Sequence, residues 1–453
     1  MPVHVIASNE QRALLGLGAT GCSVARWWRD QGVPFIALDT RAEIAQSATV
    51  KEAIGADTPM HAGDIDPGLL SGITELVVSP AIGLEHPLVQ LAREAGARVT
   101  GDIDLFVRQA QAPVIGITGS NGKSTVTAWL ASLLNSCGVR ASAGGNLGPP
   151  ALDLLRDPAD CYVLELSSFQ LERSDALNLA IATVLNVSPD HLDRHGTLPK
   201  YHQAKHRIFR GAGKIVANRG DPLTVPLADA SVERVLWRLG EPDLNEFGVR
   251  AIDGQPTVCR GHEALLPVSS LPLPGTHNLG NALTVLALGS ALGVPLQQLV
   301  SGLGNFRGLA HRCEWVAERD GVTWINDSKA TNVDATRAAL SGLGDSNNIV
   351  LIAGGVGKAQ DFTPLAPEAS TRCRRVLTMG EDARAIELAL GAHVPVQRVE
   401  DLAHAVATAS QCAQAGDIVL LSPACASFDM FADFAARGDA FRDLVHSTGA
   451  TVP

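Results

Sequence analysis

Long hydrophobic runs and patterned cysteines are both missing from the sequence, and each absence excludes a class of protein. No apolar run approaches the ~20 residues that a membrane-spanning helix needs, and the start MPVHVIASNEQR lacks the basic residues and apolar core of a signal peptide. The eight cysteines form no C-x-x-C pair, which disfavours a zinc site or a disulfide framework and favours reduced thiols. We therefore expect a cytoplasmic protein without membrane insertion.

Positive charge is also scarce. The 36 Lys and Arg residues are outnumbered by 47 Asp and Glu residues, which gives a net charge of −11. Because nucleic-acid-binding proteins normally carry a basic face, we expect no nucleic-acid partner. A site for an anionic ligand must instead concentrate a few basic side chains locally.

What the chain does contain is an alternation of short β-branched runs with longer helical patterns. Most runs are apolar on both sides, as expected of parallel strands that helices cover; examples are TELVVSP, CYVLELS, IATVLNV and DIVLLSP. The pattern predicts an α/β fold built on parallel sheets. It is interrupted between about Pro222 and Pro274, where more Pro, Gly and charge suggest a small antiparallel element.

Changes in composition near GARVTGDIDL and NFRGLAHR divide the 453 residues into three predicted domains. They are a Rossmann-like N-terminal unit (1–101), a central P-loop ATPase-like domain with a parallel sheet (102–306) and a C-terminal Rossmann-like α/β unit (307–453).

The segment ITGSNGKST follows a short apolar run and precedes a helical pattern, which is the setting of a phosphate-binding loop. Glycines let backbone N–H groups approach phosphate oxygens, and the N-terminus of the following helix favours negative charge. Lys123 would reach the outer phosphates, and Ser124 would bind Mg²⁺. The spacing departs from the Walker pattern, because Ile117 stands where the first glycine belongs.

A second glycine loop lies near the N-terminus. Gly16, Gly18 and Gly21 follow the order G-x-G-x-x-G, and the next apolar run, FIALDT, contains Asp39. Three interpretations stay open from these residues alone. They are a βα turn without a ligand, an NAD site in which Asp39 meets a ribose, and a site for another ribonucleotide such as a UDP-sugar.

Polar side chains follow several of the central runs. Glu165 ends a buried run, where a carboxylate can hold Mg²⁺ opposite a phosphate loop. His191 follows the next run beside two aspartates; it could bind a metal, but pairing with a carboxylate is the commoner role. Lys205 is a helical lysine, and the usual place of such a residue is a solvated face. Asn281, one helical turn after Asn278, either caps a helix or bonds a base.

The C-terminal unit has four polar clusters, LAHRCEW, WINDSKATN, AGGVGKAQDF and LLSPACASFDMF. In α/β sheets, ligands bind where strands end, so polar clusters at several strand ends predict a binding cleft. Asp327, Lys329 and Lys358 would supply its charges.

Taken in order, the motifs GITGSNGKST, GGNLG, LELSSFQLE, NVSPDHLDRH, YHQAKHRIF, HNLGNA, HRCEWV, NDSKATN and LLSPACASFDMF resemble those of the Mur ligases. The resemblance runs from about Gly16 to Gly438, and the short form of the phosphate loop is the form of that family. It is closest to the branch that adds D-glutamate. One departure is Ala81 in SPAIG, where the family usually has glycine.

The resemblance implies an ATP-dependent amide-bond ligase of peptidoglycan precursor synthesis, and so a role in cell-wall growth, cell shape and division. ATP would phosphorylate the carboxylate of UDP-N-acetylmuramoyl-L-alanine, and the amine of D-glutamate would attack the acyl phosphate to give an amide, ADP and phosphate. Two Mg²⁺ ions are implied, as is a carbamylated Lys205, and we expect a monomer.

The resemblance also assigns residues to each ligand. Lys123, His191 and Lys205 are the implied catalytic residues, and the implied metal-binding residues are Ser124, Glu165, His191 and Lys205. ATP would contact Gly119, Ser120, Asn121, Gly122, Lys123, Ser124, Thr125, Asn281, Arg312, Asp327 and Lys329. The UDP-linked substrate would contact Thr20, Gly21, Asp39, Thr40, Arg41, Ser79, Asn146 and His191. Glutamate would contact Thr331, Lys358, Ser427 and Phe434.

Three other functions compete with this one. A folylpolyglutamate synthase-like ligase also adds glutamate but has no domain with the N-terminal glycine loop. An NAD-dependent oxidoreductase leaves the phosphate loop and NDSKATN unexplained, and a nucleotide-binding regulator would hydrolyse ATP slowly. Glutamate-dependent phosphate release separates the ligase from all three.

Overall fold

The computed structural model describes residues 11–227, 231–273, 275–343, 347–358 and 360–447. Its strands are β1 (Arg12–Leu15), β2 (Ile36–Asp39), β3 (Met60–Ala62), β4 (Glu75–Val78), β5 (Arg98–Thr100), β6 (Val114–Thr118), β7 (Ala141–Gly145), β8 (Cys161–Glu165), β9 (Ile181–Val184), β10 (Lys214–Asn218), β11 (Glu233–Trp237), β12 (Phe247–Ile252), β13 (Gln255–Arg260), β14 (Glu263–Pro267), β15 (Glu314–Arg319), β16 (Val322–Asn326), β17 (Ile349–Gly354), β18 (Cys373–Met379), β19 (Val396–Arg398) and β20 (Ile418–Leu421).

Its α-helices are α1 (Ala19–Asp30), α2 (Ala48–Ile54), α3 (Pro87–Glu94), α4 (Asp102–Gln109), α5 (Lys123–Ser136), α6 (Ser168–Leu171), α7 (Leu192–His195), α8 (Leu198–His206), α9 (Thr276–Leu292), α10 (Leu296–Leu303), α11 (Val333–Leu343), α12 (Ala366–Arg372), α13 (Ala383–Leu390), α14 (Leu402–Cys412) and α15 (Phe434–Ser447). Among the residues described, no helix is long and apolar enough to cross a membrane.

Three sheets carry these helices. The first has the order β3-β2-β1-β4-β5, with every neighbouring pair parallel. The third has the order β15-β16-β20-β17-β18-β19, in which only the edge pair β15–β16 is antiparallel. The strands at the centres of the sheets, such as β6, β8 and β17, are buried along their whole length. Helices therefore cover both faces, which confirms the predicted α/β fold with parallel sheets.

The second sheet has the order β14-β13-β12-β11-β10-β9-β6-β8-β7. Its half from β10 to β7 is parallel, and β6 lies between β8 and β9. At its other end β12, β13 and β14 are neighbours joined by tight turns. Asp253 and Gly254 both have positive φ (51° and 78°), as a type I′ hairpin turn requires. This meander is the antiparallel element expected between Pro222 and Pro274.

Contacts group the described residues into two compact units. The first holds the chain up to Val249, with Cys259–Ala264 and Leu283–Gly302; the second holds Arg250–Val258, Leu265–Ala282 and the chain from Leu303 onward. The first unit contains the first sheet and the parallel part of the second, and one hydrophobic cluster runs through both, including Leu14, Phe106 and Leu164. The domain boundaries at 101 and 306 stay predictions.

Candidate functional site

The phosphate loop begins where β6 ends, between the ends of β8 and β9, and leads directly into α5. Asn186, just after β9, holds the loop at three points. Its carbonyl oxygen accepts from Ser120 N (3.0 Å), its Oδ1 accepts from Asn121 N (2.8 Å) and its Nδ2 donates to Asn121 O (3.0 Å). The loop is therefore preformed, with the N-terminus of α5 available to bind an anion.

The hydroxyl of Ser120 is engaged by the protein. It donates to Ser188 O and accepts from Ser188 N, both at 3.0 Å, and lies 3.3 Å from the buried hydroxyl of Tyr201. Ser120 therefore shapes the loop through its side chain. The roles of Asn186 and Tyr201 could not be predicted from the sequence. They depend on contacts with loop residues that lie 65 and 81 positions away along the chain.

Two lysines meet at one carbonyl of this loop. Lys123 Nζ donates to Gly119 O and Ser120 O at 2.9 Å, and Lys205 Nζ donates to the same Gly119 O at 2.7 Å. Lys205 is only 1% exposed, so its helix does not carry it on a solvated face. Burial, and to a lesser extent the charge of Lys123, lower the pKa of the Lys205 ammonium well below its ordinary value. The neutral amine is therefore easier to reach at Lys205 than at an exposed lysine.

Glu165 ends β8 beside this loop and is 2% exposed. Its Oε1 accepts from Asn146 Nδ2 at 2.7 Å, whereas its Oε2 is buried without a hydrogen-bond partner. A buried carboxylate oxygen without a partner is costly unless a ligand completes it, and carboxylate oxygen is a preferred ligand of Mg²⁺. The Oε2 of Glu165 is thus chemically suited to a metal ion, although no group of three His, Cys, Asp or Glu that could hold one exists among the residues described.

His191 follows β9 in a left-handed conformation, with φ of 51°. Such backbone is strained in a non-glycine residue and is typical of functional sites. Its ring packs edge-on against Phe169, with centroids 4.9 Å apart, and its Nε2 lies 3.6 Å from Asp190 Oδ2. The carboxylate pairing expected from the sequence is therefore present, and the imidazole remains about one-third exposed (36%).

The N-terminal glycine loop follows β1 and opens α1. Asp39, 2% exposed at the end of β2, accepts from Leu17 N (2.7 Å) with Oδ2 and from Arg41 N (2.9 Å) with Oδ1. The Arg41 guanidinium contacts both carboxylate oxygens at 3.0 and 2.9 Å. Burial alone would raise the pKa of Asp39, but these hydrogen bonds outweigh it and the pKa is lowered. Because both oxygens are already used, Asp39 is poorly placed to receive a ribose hydroxyl.

The surroundings of this loop suit a ligand at the start of α1. A Cβ at Gly21 would lie 1.9 Å from Gly16 O, so only glycine fits there, whereas a Cβ at Gly18 would meet nothing within 4 Å. Thr20, Thr40 and Arg41 are partly or fully exposed at the same edge of the sheet, and Ser79 follows β4. Exposed donors beside an open helix N-terminus favour an anionic group.

In the second unit, Asp327 follows β16 and is 7% exposed. It accepts from Ser422 Oγ (2.8 Å) and Cys313 N (3.1 Å). Burial raises its pKa to about 6, although these hydrogen bonds oppose the rise. The neighbouring Arg312 lies between His311 and Cys313, which have φ of 62° and 45°, so this loop holds strained backbone beside a buried acid.

A second group of predicted residues surrounds the ends of β17 and β20. Lys358 is exposed, with φ of 53°, and its loop pairs with the next one through hydrogen bonds between Val356 and Ala426. Ser427 follows, 2% exposed, with a buried hydroxyl that has no hydrogen-bond partner. A hydroxyl left without a partner fits a site that a polar ligand completes.

Arg437 connects the loops of this unit and was missed from the sequence. Its buried guanidinium donates to Ser328 Oγ (2.9 Å), Ser328 O (2.8 Å), Gly354 O (3.4 Å) and Cys425 O (3.1 Å). Burial lowers its pKa to about 10. The guanidinium thus fixes the chain after β16, β17 and β20, which carry the candidate glutamate residues.

The remaining predicted residues lie in the same unit. Lys329 Nζ is 3.7 Å from the ring centroid of Phe434, the first residue of α15. Thr331 follows Lys329 by two residues, and its N–H donates to Lys329 O at 2.9 Å. Asn281 Nδ2 donates to Asn278 Oδ1 at 3.1 Å inside α9, so one of its donors is engaged within the helix.

A preformed phosphate loop at the centre of a parallel sheet, with a buried carboxylate on the adjacent strand, defines a P-loop nucleotide-binding protein. Models of three protein families match the chain: "Mur ligase MurD-like, N-terminal domain" at 10–101, "Mur ligase middle domain" at 117–289 and "Mur ligase, glutamate ligase domain" at 311–425. Together with relatives that are nearly half identical over almost the whole chain, these matches show that the chain belongs to the Mur ligase family.

Three similar curated proteins each carry the name UDP-N-acetylmuramoylalanine–D-glutamate ligase. The protein of Pseudomonas putida is 47% identical over 97% of this chain and 98% of its own length. That of Pseudomonas aeruginosa is 48% identical over 98% and 99%, and that of Nitrosococcus oceani is 48% identical over 95% of each.

Solved structures agree on the fold. UDP-N-acetylmuramate-alanine ligase MurC from Thermotoga maritima superposes with a TM-score of 0.60 at 18% identity, covering 97% of this chain and 99% of that one. MurF from Acinetobacter baumannii gives 0.61 at 18% identity, covering 96% and 90%.

Proposed function

We propose that the protein joins D-glutamate to UDP-N-acetylmuramoyl-L-alanine at the expense of ATP, in the synthesis of peptidoglycan precursors. The observation that carries this proposal is the pair of lysines on Gly119 O beside the incompletely bonded Glu165. Both reacting groups, a carboxylate and a terminal phosphate, are anions. They approach each other only where cations offset their repulsion.

Each side chain has one part in the proposed mechanism. Lys123 stabilises charge on the transferring phosphoryl group, and the N-terminus of α5 binds the phosphates. Glu165 and Ser124 would hold one Mg²⁺, and His191 with a carbamylated Lys205 would hold a second. When bound, Mg²⁺ neutralises phosphate oxygens. Asn146, which is hydrogen-bonded to Glu165, would contact the substrate near the reacting carboxyl.

Carbamylation of Lys205 is supported by its environment. Only a neutral amine attacks CO₂; the new N–C bond gives a carbamate, and the amine proton is released. The lowered pKa of the buried ammonium favours this neutral form. A lysine ammonium has no lone pair for a cation, and a neutral amine offers a single nitrogen, whereas the carbamate supplies two of the oxygens that Mg²⁺ prefers.

The assay that tests the proposal is ADP release with ATP, UDP-N-acetylmuramoyl-L-alanine and D-glutamate, omitting each in turn. Ligation predicts that release needs all three and that L-glutamate substitutes poorly. ADP release at the same rate with and without glutamate would indicate an ATPase and contradict the proposal. A cytoplasmic, monomeric enzyme is part of the same proposal, and sedimentation at assay concentration tests the monomer.

The N-terminal site should bind the UDP-linked substrate and reject NAD. The match of residues 10–101 to the Mur ligase N-terminal domain favours the UDP-linked substrate over NAD, and Arg41, with its side chain 51% exposed, can meet the pyrophosphate of that substrate. Arg41→Ala should therefore weaken UDP-N-acetylmuramoyl-L-alanine binding about tenfold or more, as measured by calorimetry on the full chain. Arg29→Ala, on α1 and paired with Asp30 at the surface, is the control. Tight NAD binding would reverse the assignment.

Lys358→Met should raise the KM for D-glutamate about tenfold or more. The γ-carboxylate of glutamate needs a local cation in a chain of net charge −11, and Lys358 lies in a loop that pairs, through Val356 and Ala426, with the loop that carries Ser427. The KM for UDP-N-acetylmuramoyl-L-alanine should change little. Arg319→Met, which removes another exposed cation of this unit at the end of β15, should leave both values unchanged. An effect on ATP alone would move Lys358 to the nucleotide site.

A further inference from the structure

Arg173 is buried next to the loop that follows β4, and it reaches that loop from the central part of the first unit. Its side chain has no exposed surface. One terminal nitrogen donates to Val78 O (3.0 Å) and Ser79 O (2.7 Å), and the other donates to Pro80 O (3.2 Å) and Ile82 O (3.0 Å). One guanidinium therefore fixes four carbonyl groups within five consecutive residues.

Two neighbours complete this group, which we call the arginine clamp: Glu172, Arg173 and Arg194. Glu172 Oε1 accepts from Arg173 Nη2 (3.1 Å) and from Arg194 Nη2 (2.5 Å). Arg194 Nη2 also donates to Ile82 O at 3.1 Å. The same carbonyl is thus held by two arginines, and the carboxylate between them offsets their mutual repulsion.

The clamp has a consequence for the backbone of residues 79–83. The clamp holds the carbonyls of Ser79, Pro80 and Ile82, and so restricts rotation of their peptide planes. Within the described chain, the N–H groups of Ala81 and Gly83 donate to no protein acceptor, so they are the groups left for a ligand. Ala81 is exposed and does not have positive φ, so this loop does not need the glycine that the family usually has there.

Packing the loop of residues 79–83 against the segment that carries Arg173 does not by itself require a buried charge. Burial lowers the pKa of Arg173 to about 10, a sign of how poorly the site solvates the cation. Apolar side chains of similar volume often join such surfaces at equal or greater stability. A guanidinium differs from an apolar side chain in that it fixes the orientation of the carbonyl groups it binds, because its N–H donors form a planar fork with fixed angles. The stem is also tightly packed, since a Cβ at Gly101 would lie 3.0 Å from Arg173 Cγ and Cδ.

We propose that the arginine clamp presets the loop of residues 79–83 to bind the UDP-linked substrate, with Arg173 as its positioning residue. The inference rests on the proposed function and deepens it. The clamp does not touch the reacting atoms; it lowers the entropy cost of ordering the loop when the substrate binds.

The test compares Arg173→Met and Arg173→Lys with Arg207→Met in the full-length protein. Arg207 is the matched control because, among the residues described, it donates only to Ser174 O, at 3.0 and 2.5 Å, within the central part. For each variant we would measure the KM of all three substrates, kcat, the melting temperature, and the Kd of UDP-N-acetylmuramoyl-L-alanine by calorimetry.

For Arg173→Met we expect the KM and Kd of UDP-N-acetylmuramoyl-L-alanine to rise about tenfold or more, with the KM of ATP and D-glutamate changed less than about twofold. Arg173→Lys should recover part of the loss, since it restores a cation and fewer donors. Arg207→Met should lower the melting temperature, and it should change the KM values of the three substrates by similar factors.

Equal changes in KM for all three substrates, or an unchanged Kd for the UDP-linked substrate, would contradict the proposal. The arginine clamp would then only stabilise the fold. If Arg173→Met does not fold, Arg194→Met, which removes one of the two donors to Ile82 O, decides by the same criterion. Failure of the proposed function differs: the wild-type protein would then show no glutamate-dependent ADP release at all.

Discussion

Lys123→Ala should lose at least about a hundredfold in the rate of glutamate-dependent ADP formation, with its fold intact. Lys123 Nζ lies on the carbonyls of Gly119 and Ser120 at 2.9 Å, which places its charge at the rim of the phosphate loop. During transfer, negative charge spreads over the phosphoryl oxygens and the departing ADP while a carboxylate approaches. The cation is therefore most important in the transition state, and kcat should fall more than ATP binding.

The control for this variant is Lys214→Ala, which removes an exposed lysine on β10 that pairs with Glu233 at 3.1 Å. It should retain wild-type turnover, since exposed ion pairs contribute little. Circular dichroism and the melting temperature of Lys123→Ala should match those of the control. Near-wild-type turnover of Lys123→Ala would contradict the assignment of the loop to ATP.

Features that depend on local sequence were predictable. The strand, the glycine-rich turn and the helix of the phosphate loop are consecutive in the chain, so ITGSNGKST is enough to predict them. The place of Glu165 at a strand end likewise follows from one apolar run. Local sequence does not show that Glu165 Oε2 lacks a partner, because that depends on every neighbour in the folded chain.

Features set by tertiary contacts could not be predicted. Asn186 shapes the loop from 65 residues away, and Arg437 fixes Ser328 from 109 residues away. Asn and Arg in these positions carry no periodic or motif signal. Asp39 shows the same limit: no sequence pattern reveals that hydrogen bonds from Leu17 and Arg41 occupy both of its oxygens.

Lys205 shows most clearly what the sequence could not reveal, because a lone lysine in a helical segment is expected on a solvated face. In the fold it is 1% exposed, its Nζ lies 4.4 Å from the centre of the Tyr201 ring and it donates to Gly119 O. A buried lysine beside another lysine is expensive unless it is neutral or modified. The burial of Lys205 could not be predicted from the sequence of α8, because nothing in YHQAKHRIF indicates which side chains are buried.

Lys205→Ala should be nearly inactive, with turnover reduced at least about a hundredfold. The variant removes the carbamate oxygens proposed to hold a metal ion near the transferring phosphoryl group. Formate or acetate should restore part of the activity by occupying the space beside Gly119 O that the side chain leaves. The same carboxylates should not stimulate the wild-type enzyme, in which that space is filled.

The matched comparison is Lys205→Arg, which keeps a cation but cannot form a stable carbamate. If Lys205 acted as a plain cation, arginine would retain part of the turnover and added carboxylate would not help either variant. If it acts as a carbamate, Lys205→Arg stays inactive and only the alanine variant, which has the vacated space, responds to formate. Isotopically labelled bicarbonate, followed by NMR on the wild-type protein, should show one bound carbamate that is lost in both variants. Absence of that signal in an active wild-type enzyme would refute the carbamate and leave Lys205 as a neutral hydrogen-bond donor to the phosphate loop.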